Sequence, residues 1–422
     1  MRILLLSNLF RPYILGGAEV VAADVAEGLE GLGHEVFVLT SSYGLAKAKQ
    51  EGHTWRTLKL APPVHFDQHH AFWLQIGQPL NYYRRYHCAA NAKELSRMID
   101  TIQPDILLIC EITGIGVISL LKVLHTLDIP IVFYLQSYLF LYARSPETEQ
   151  SHLRVRWLKQ LLIGAFPPLS YTSLIAVSNA VKQEFIRAGY DPERIEVIHN
   201  GVDSRFLKPL PIKISEEDVN LPSAGEKCIE LLYVGRLTTE KGVLVILKAL
   251  DVLINKQERQ NLHLRIFGDG DKAYISQLQS FIREKQLTEH VTFHGKVPQD
   301  ELIEYYDRSD IMLVPSIWQE PFALVTAEAM ARGLPVIASK VGGTAERITH
   351  DVNGLLVEAG DEQALASAIT QLVENPDKRT RLSQASRVTV QERFTIEENA
   401  RRVDQHLRQA LQRNQKKSTN NK

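Results

Sequence analysis

The sequence predicts an α/β protein made of two doubly wound, Rossmann-like domains that face an interdomain cleft. Apolar runs of strand length alternate with helical stretches along the chain. The runs are apolar on both faces, which is typical of a parallel sheet covered by helices on both sides. The alternation weakens at residues 207–227, where three prolines and one glycine stand among acidic side chains, and then restarts. The 422 residues also suit two domains of ordinary length.

Six strands are predicted in each half of the chain. In residues 1–206 they are Ile3–Ser7, Glu35–Thr40, Asp105–Cys110, Ile131–Leu135, Leu174–Val177 and Ile195–Ile198, with helical stretches at Ala18–Leu32, Ile115–Leu127 and Asn179–Ala188. After the linker at 207–227, in residues 228–394, they are Glu230–Val234, Leu262–Phe267, Val291–His294, Ile311–Val314, Pro335–Ala338 and Gly354–Val357. Residues 395–422 hold a helix, Ile396–Leu411, that can pack back on the first domain, and a polar tail from Gln412 that we expect to fray.

Composition excludes several classes of protein. Hydrophobic residues make up 45% of the chain and charged residues 23%, as in an ordinary globular protein. With 48 basic and 49 acidic residues the net charge is −1, so the basic excess of a nucleic-acid-binding protein is missing. The three cysteines are far apart, which indicates a reducing compartment and no structural zinc. Because no run reaches the roughly 18 apolar residues that span a bilayer, and Met1–Asn8 resembles a first strand rather than a signal peptide, we expect a cytoplasmic protein.

Residues that follow strands are the candidate site, because ligands of open α/β sheets bind outside the carboxyl ends of the strands. Gly16 and Gly17 open the first helix and allow close approach of the backbone to an anion. A tight turn that needs a positive φ explains them equally well. Arg236 and Lys241, which follow the first strand of the second half beside Gly235, can bind a diphosphate. Two solvated surface cations are the alternative.

The most informative pattern is a predicted helix within the segment PSIWQEPFALVTAEAMARG. Pro321 fits its first turn and Gly333 its C-terminal stop, so free N–H groups near Phe322–Leu324 would face a ligand. Glu328 would lie roughly 10 Å along the axis, a distance that fits a ribose when a diphosphate lies at the helix start. Glu320 would meet the group attached beyond the phosphates. A capped helix with ordinary charges is the alternative.

These motifs resemble those of the family 4 retaining glycosyltransferases of GT-B fold, over nearly the whole chain. The resemblance rests on E-x7-E at Glu320–Glu328, the Gly16-Gly17 loop, SNA at Ser178–Ala180, HNGVD at His199–Asp203, GR…EKG at Gly235–Gly242, GDG at Gly268–Gly270 and Gly342-Gly343. It implies a metal-independent, hexosyltransferase-like enzyme without a cofactor. The enzyme would move a sugar from a nucleoside diphosphate sugar to a hydroxyl of a sugar or lipid-linked acceptor, in the synthesis of cell-envelope polysaccharide, glycolipid or a related glycoconjugate.

The resemblance also implies a role for each residue. Arg236 and Lys241 are expected to bind the donor diphosphate, Glu328 the ribose and Glu320 the donor sugar. Glu320, Arg236 and Lys241 form the expected catalytic set. The expected donor site comprises Gly16, Gly17, Gln136, Gly235, Arg236, Lys241, Gly268, Phe322, Ala323, Leu324 and Glu328. Because no nucleophile is evident on the far face of the sugar, we expect front-face attack, in which the leaving phosphate takes the acceptor proton.

Two residues depart from the family pattern. Gln136 stands where many members carry a histidine, and an amide can donate to a sugar hydroxyl but cannot act as a general acid or base. This departure leaves a non-catalytic sugar-nucleotide-binding protein as an alternative, beside a GT-B-like sugar-nucleotide epimerase or hydrolase. Ala323 stands where glycine is usual, and its methyl group is tolerated if φ is helical, as we expect at a helix start.

Four other clusters have a functional and an ordinary interpretation. Asp269–Asp271 forms a DxD, and His65–His70 is rich in metal-capable side chains; a glycine loop and a solvated loop are the alternatives. The basic segment Arg154–Lys159, followed by the apolar Leu161–Phe166, can lie on the inner face of a membrane or form a helix at the domain edge. Tyr82–Tyr86 can face an acceptor or be packed surface.

Overall fold

The chain folds into two compact units. The computed structural model describes residues 1–14, 16–61, 83–138, 141, 171–208 and 228–420. One unit comprises Met1–Gly201 and Ile396–Lys422, and the other comprises Val202–Thr395. The division falls five residues before the expected end of the first domain, because the Val202 N–H donates to the Phe394 carbonyl at 2.8 Å and so ties residue 202 to the second unit. Most of the expected linker, residues 209–227, lies outside the described residues.

The first unit has the predicted parallel sheet. Its strands are β1 (Arg2–Ser7), β2 (Glu35–Ser41), β3 (Lys49–Glu51), β4 (Thr54–Leu58), β5 (Ile106–Glu111), β6 (Ile131–Leu135), β7 (Ser173–Ala176) and β8 (Ile195–Val197), and its first helices are α1 (Gly17–Gly31), α2 (Ala89–Ile102), α3 (Val117–Leu124) and α4 (Asn179–Arg187). The order is β3-β4-β2-β1-β5-β6-β7-β8. Among the described strands, β3 alone is antiparallel to its neighbour, β4. Neither β3 nor β4 was predicted, because β3 is polar and exposed and β4 mixes polar with apolar residues, so no apolar run marks either strand.

The second unit is a sheet whose described strands are all parallel. They are β9 (Ile229–Val234), β10 (Leu262–Phe267), β11 (Val291–Gly295), β12 (Ile311–Val314), β13 (Val336–Ser339) and β14 (Leu355–Val357), in the order β11-β10-β9-β12-β13-β14. The helices are α5 (Ser204–Leu207), α6 (Val243–Asp251), α7 (Lys272–Glu284), α8 (Gln299–Arg308), α9 (Leu324–Ala331), α10 (Glu362–Glu374) and α11 (Pro376–Arg393).

Alternate residues of the central strands of the second unit, β9, β12 and β13, enter different hydrophobic layers. Leu231 and Tyr233 of β9 belong to the layer that contains α6 and α10, whereas Leu232 and Val234 belong to the layer that contains α9. Because helices cover both faces of the sheet at these strands, the strands are apolar on both faces. This explains the continuous apolar runs from which the fold was predicted.

The last helix, α12 (Ile396–Asn420), belongs to the first unit and packs on α1. Its Ala400, Val403, Leu407 and Ala410 are buried at helical spacing. The expected frayed tail from Gln412 is wrong, because the helix continues to Asn420. The glutamine, arginine and lysine residues of this stretch favour helix even where they are exposed. In the described ranges, no helix is long and apolar enough to cross a membrane.

Candidate active site

The candidate site of the second unit lies where the order of its strands reverses. β9 and β12 are neighbours in the sheet, whereas the chain after β9 first continues outward to β10. Loops that follow two such strands diverge and leave a crevice for a ligand. Gly235, Arg236 and Lys241 follow β9, and Glu320 lies in the loop after β12. The Ile317 N–H donates to the Glu240 carbonyl at 2.9 Å, which holds the two loops together.

Lys241 and Glu320 form a largely buried ion pair in these loops. The Lys241 Nζ lies 2.8 Å from Oε1 and 2.7 Å from Oε2 of Glu320. Oε2 also accepts hydrogen bonds from Ser316 Oγ at 3.1 Å and Trp318 Nε1 at 2.9 Å. Within the described residues, Lys241 is the single hydrogen-bond partner of Oε1, and one of the three ammonium N–H groups stays unused. Both partners can therefore bind a ligand without separating.

Arg236 is the second cation of the site and is exposed. Its guanidinium has no ion-pair or hydrogen-bond partner among the residues that the structure describes. The Tyr233 hydroxyl donates to the Arg236 carbonyl at 2.8 Å and fixes the backbone at this point. Gly268 allows the loop after β10 to pack closely against the loop after β9, since a Cβ at position 268 would lie 1.8 Å from the Gly235 carbonyl oxygen. The guanidinium thus extends from a rigid loop and is available to an anion.

The helix that carries the candidate anion site begins later than expected. α9 starts at Leu324 rather than Pro321, and Ala323 is its N-cap. The expected helical φ of Ala323 is wrong: its φ is 55° and its ψ is 80°, a left-handed conformation that costs an alanine about 1–2 kcal/mol. The unpaired N–H groups of the first turn therefore begin at Leu324. Glu328 lies one turn farther on, about 6 Å along the axis instead of 10 Å.

Glu328 is a buried carboxylate that already has two partners. Its Oε1 accepts a hydrogen bond from Gln299 Nε2 and its Oε2 one from the Tyr306 hydroxyl, each at 2.8 Å. Burial raises the pKa of Glu328, and the two hydrogen bonds oppose this rise. Gln299 is only half-buried, whereas Tyr306 is buried. Oε1, on the side of the half-buried Gln299, is therefore the more accessible oxygen of Glu328.

We expect Glu328→Gln to raise the melting temperature of the ligand-free protein near pH 7 and to weaken nucleotide binding. A carboxyl whose pKa is raised by folding stabilises the protein fully below pH 4.5, and this contribution is lost as the pH rises through the folded-state pKa. When folding raises the pKa by one, the free energy of unfolding at high pH falls by about 1.4 kcal/mol. The amide keeps the shape of the side chain without the cost of a buried charge, but it has one acceptor oxygen instead of two.

Thermal unfolding from about pH 4 to about pH 8 measures this effect. The melting temperature of Glu328→Gln should exceed that of the wild type by a margin that widens as the pH rises. Glu289→Gln, at an exposed position of the same unit, is the matched control and should show no widening. A variant that is less stable than the wild type by the same margin at every pH would contradict the prediction that the buried charge of Glu328 destabilises the folded protein near pH 7.

Gly16 and Gly17 begin α1 of the first unit, as expected, but no positive φ is involved. Gly16 is the N-cap with φ −153°, an extended conformation that any residue can adopt, and Gly17 is helical. The Gly16 N–H donates to Glu19 Oε2 at 2.8 Å, so a carboxylate occupies this helix start. Burial raises the pKa of Glu19. Contact of the two glycines with the donor stays a prediction.

Gln136 directly follows β6 and pairs with Asn200 of the HNGVD motif. Each side chain donates to the other, with 2.9 Å from Asn200 Nδ2 to Gln136 Oε1 and 3.3 Å in the opposite direction. Asn200 Oδ1 also accepts a hydrogen bond from the Tyr134 hydroxyl at 2.9 Å, and that hydroxyl accepts one from Asn399 of α12. The amide of Gln136 is thus held in place by its own unit. Its contact with a donor sugar also stays a prediction.

The other clusters are only partly described. Asp271 caps α7, since its Oδ1 accepts a hydrogen bond from the Tyr274 N–H at 2.8 Å, and Asp269 Oδ1 accepts one from Gly270. In the part of the chain that the structure describes, no three acidic, cysteine or histidine side chains come together as a metal site. The clusters at 65–70 and 154–166 lie outside that part. Tyr82 does too, whereas Tyr83 is exposed and stacks on His87 with 4.4 Å between ring centroids.

Four side chains that contact Glu320 or Glu328 were not predicted. Ser316 and Trp318 bind Glu320, and both lie in the segment that was singled out, so their spacing from Glu320 was an available signal. Gln299 and Tyr306 bind Glu328 from α8. They are more than twenty residues away in the chain, and no local pattern marks them.

Two family models and several known proteins match the chain. The model described as Glycosyltransferase Family 4 matches residues 15–206, and the model described as Glycosyl transferases group 1 matches residues 215–389. An uncharacterized glycosyltransferase of Methanocaldococcus jannaschii is 28% identical over 94% of this chain and 95% of its own length. A D-inositol 3-phosphate glycosyltransferase of Thermobispora bispora is 32% identical, but the match covers 53% of this chain and 52% of that protein, about half of each.

Solved structures of glycosyltransferases share the fold over nearly the whole chain. HepE of Anabaena in complex with UDP has a TM-score of 0.70 at 23% identity, covering 97% of this chain and 100% of that one. Sucrose-phosphate synthase of Thermosynechococcus elongatus has a TM-score of 0.71 at 22% identity, covering 97% and 98%.

The two parallel-sheet units define the class, since the chain has the GT-B fold of glycosyltransferases. The expected fold is thereby confirmed. Within this class the chain is a glycosyltransferase of family 4, whose models match residues 15–206 and 215–389.

Proposed function

We propose that the enzyme moves a sugar from a nucleoside diphosphate sugar to an acceptor hydroxyl, with retention of the anomeric configuration. The observation that carries this proposal is the Lys241–Glu320 pair, in which an unused ammonium N–H and a carboxylate oxygen lie side by side. A cation beside a hydrogen-bond acceptor suits a substrate in which a phosphate adjoins a sugar with free hydroxyls. The position of the pair at the reversal of strand order supports the same site.

The donor fits the described residues of the second unit in the following order. Lys241 and Arg236 bind the diphosphate together with the first N–H groups of α9, where negative charge is favoured. The ribose lies one turn along the helix, where its hydroxyls bind Glu328 Oε1 beside the Gln299 amide. The sugar lies at Glu320. UDP-sugars are the first donors to test, since HepE of Anabaena has been solved with UDP and with UDP-glucose.

The chemistry follows from where charge develops. As the acceptor oxygen attacks, the bond between the anomeric carbon and the diphosphate oxygen breaks and negative charge grows on the leaving group. Arg236, Lys241 and the helix start stabilise this charge, because they are fixed in place before the reaction. In front-face attack the acceptor approaches on the side of the leaving group, and a phosphate oxygen takes its proton. Glu320 is held by three donors and binds a hydroxyl of the transferred sugar through Oε1.

Turnover with and without an acceptor tests the proposal. Thermal shift with UDP-, GDP- and ADP-sugars selects the donor, because a bound ligand stabilises the folded state. The selected donor is then incubated with simple sugars, lipid-linked sugars and D-inositol 3-phosphate, which the name of the Thermobispora relative supplies. Release of nucleoside diphosphate that requires an acceptor, with a product of unchanged anomeric configuration by NMR, would support the proposal. Epimerisation or hydrolysis of the donor without an acceptor product would contradict it.

We expect activity to survive removal of divalent metal ions. Arg236, Lys241 and the first turn of α9 supply the positive charge that a metal ion would otherwise bring to the diphosphate. Enzyme treated with EDTA should therefore keep most of its kcat/KM, measured before and after addition of Mn²⁺ or Mg²⁺. Loss of activity in EDTA and its recovery with Mn²⁺ would instead direct attention to Asp269 and Asp271, or to the cluster at 65–70.

A further inference from the structure

Arg347 carries a buried guanidinium close to the start of α9. The residue is 2% exposed, and no carboxylate among the described residues forms an ion pair with it. Burial lowers its pKa to about 9, and the negative charges of Glu320 and Glu346 oppose this shift. A buried charge without an ionic partner is costly. Its position therefore calls for an explanation beyond packing.

The contacts of Arg347 are directed at two successive backbone carbonyls. Its Nη2 donates to the carbonyl oxygen of Phe322, and to that of Ala323 at 2.9 Å. Its Cζ lies 3.8 Å from the centroid of the Phe322 ring. Nε and Nη1 have no hydrogen-bond partner in the part of the chain that the structure describes. The guanidinium thus binds the backbone of the segment that directly precedes α9.

Holding these carbonyls also fixes the direction of two N–H groups. A trans peptide is planar, so its N–H points opposite to its C=O. The carbonyl of Phe322 shares a peptide with the N–H of Ala323, and the carbonyl of Ala323 shares one with the N–H of Leu324. Both N–H groups therefore point away from Arg347, at the start of α9.

We propose that Arg347 is a positioning residue of the donor site, which turns the N–H groups of Ala323 and Leu324 toward the donor diphosphate. This inference rests on the proposed function, in which the diphosphate lies at this helix start. The positive charge on the carbonyl side also polarises both peptides and makes their N–H groups stronger donors. The rival explanation is narrower: Arg347 only supports the left-handed backbone of Ala323.

Nucleotide binding by Arg347→Met tests the proposal. Calorimetry measures the affinity for UDP, and an NMR titration measures that for uridine, which lacks phosphates; GDP or ADP with its nucleoside replaces them if the donor screen selects another base. We expect the affinity for the diphosphate to fall about 10- to 100-fold, as for loss of hydrogen bonds to a charged group, and the affinity for the nucleoside to change less than about twofold. Equal losses for both ligands, or none, would overturn the proposal.

Arg332→Met is the control for loss of a buried arginine. Arg332 is 4% exposed and donates to the carbonyls of Phe206 and Lys208, at the opposite end of α9; unlike Arg347 it also pairs with Asp307, at 2.7 Å. This variant should lower the melting temperature without changing the ratio of diphosphate to nucleoside affinity. A shift of that ratio as large as in Arg347→Met would show a general loss of packing and overturn the proposal.

The Ala323→Gly background separates the proposal from its rival and keeps the test valid if Arg347→Met folds poorly. Glycine adopts a left-handed φ without strain, so Ala323→Gly/Arg347→Met should recover thermal stability. The double variant should still bind the diphosphate about tenfold or more weakly than Ala323→Gly alone. Full recovery of affinity would mean that Arg347 only supports the left-handed backbone of Ala323, and would overturn the proposal.

The outcomes also distinguish this inference from the proposed function on which it rests. If the wild type binds none of UDP, GDP and ADP, the proposed donor site is wrong. If the wild type binds one of them and Arg347→Met binds it equally well, only the proposed role of Arg347 is wrong.

Discussion

Replacing Lys241 by methionine should reduce kcat/KM by a factor of about 30 to several thousand. This range corresponds to the 2–5 kcal/mol that removal of one partner from a buried charge pair typically costs at an interface. The side chain of Lys241 is 16% exposed and that of Glu320 is 7% exposed, so little water is present to replace the ammonium group. The variant loses the proposed contact with the diphosphate and also the counter-charge of Glu320. Steady-state kinetics with the selected donor measures the first loss and thermal unfolding the second.

A double variant separates these two effects. Loss of one partner of a buried ion pair typically destabilises a protein by about 3–5 kcal/mol, because a buried charge is left alone. Lys241→Met/Glu320→Gln has no such charge and should regain much of the stability lost in Lys241→Met. It should not regain activity, since it lacks both the cation and the carboxylate. Recovery of activity together with stability would mean that Lys241 serves only to neutralise Glu320.

Gly342→Ala should strongly reduce kcat, although this substitution changes none of the side chains of the site. Gly342 has φ 51°, and a Cβ there would lie 2.1 Å from the carbonyl oxygen of Glu320 and 2.6 Å from its nitrogen. The next N–H, that of Gly343, donates to the same carbonyl at 2.7 Å. The backbone of Glu320 must therefore move to admit the methyl group. A displacement of about 1 Å at a reacting group can cost a factor of about 100 in rate.

Gly360→Ala is the control for this prediction. Gly360 has φ 79°, also left-handed, but a Cβ there would meet no heavy atom within 4 Å. Its substitution thus incurs only the cost of the left-handed conformation, about 1–2 kcal/mol of stability, and should leave kcat unchanged. Steady-state kinetics and melting temperatures of the two variants, measured side by side, show whether contact with the Glu320 backbone causes the loss of kcat. Equal loss of activity in both would show that contact with Glu320 is not the cause.

The sheets and the positions of the two cations after β9 could be predicted because both follow from local patterns. A strand buried on both faces must be apolar throughout, so β1, β5, β9 and β12 were visible as runs. A residue that follows such a strand lies at the carboxyl edge of the sheet, and Arg236 and Lys241 do follow β9 as predicted; their contact with a diphosphate stays a prediction.

The features that escaped prediction depend on contacts between distant parts of the chain. Ala323 has a left-handed φ at a position where local propensity favours a helical one, and its carbonyl is held by Arg347, 24 residues later. Likewise Glu328 is paired by Gln299 and Tyr306 from α8, which are brought near it only when α8 and α9 pack. Neither the left-handed conformation of Ala323 nor the hydrogen bonds of Glu328 are indicated by the residues next to them in the sequence.

The return of α12 to the first unit constrains the order in which a growing chain can fold. The first unit is completed only by residues from Ile396 onward, whereas the second is one continuous segment, Val202–Thr395. While the ribosome is still adding the second unit, α1 has no partner for the surface on which Gly28 meets Ala400. The second unit therefore has all its residues before the first does, although it is synthesised later. A nascent chain stalled before Ile396, or a polypeptide ending there, exposes the face of α1 on which α12 otherwise packs, and such an apolar surface favours association.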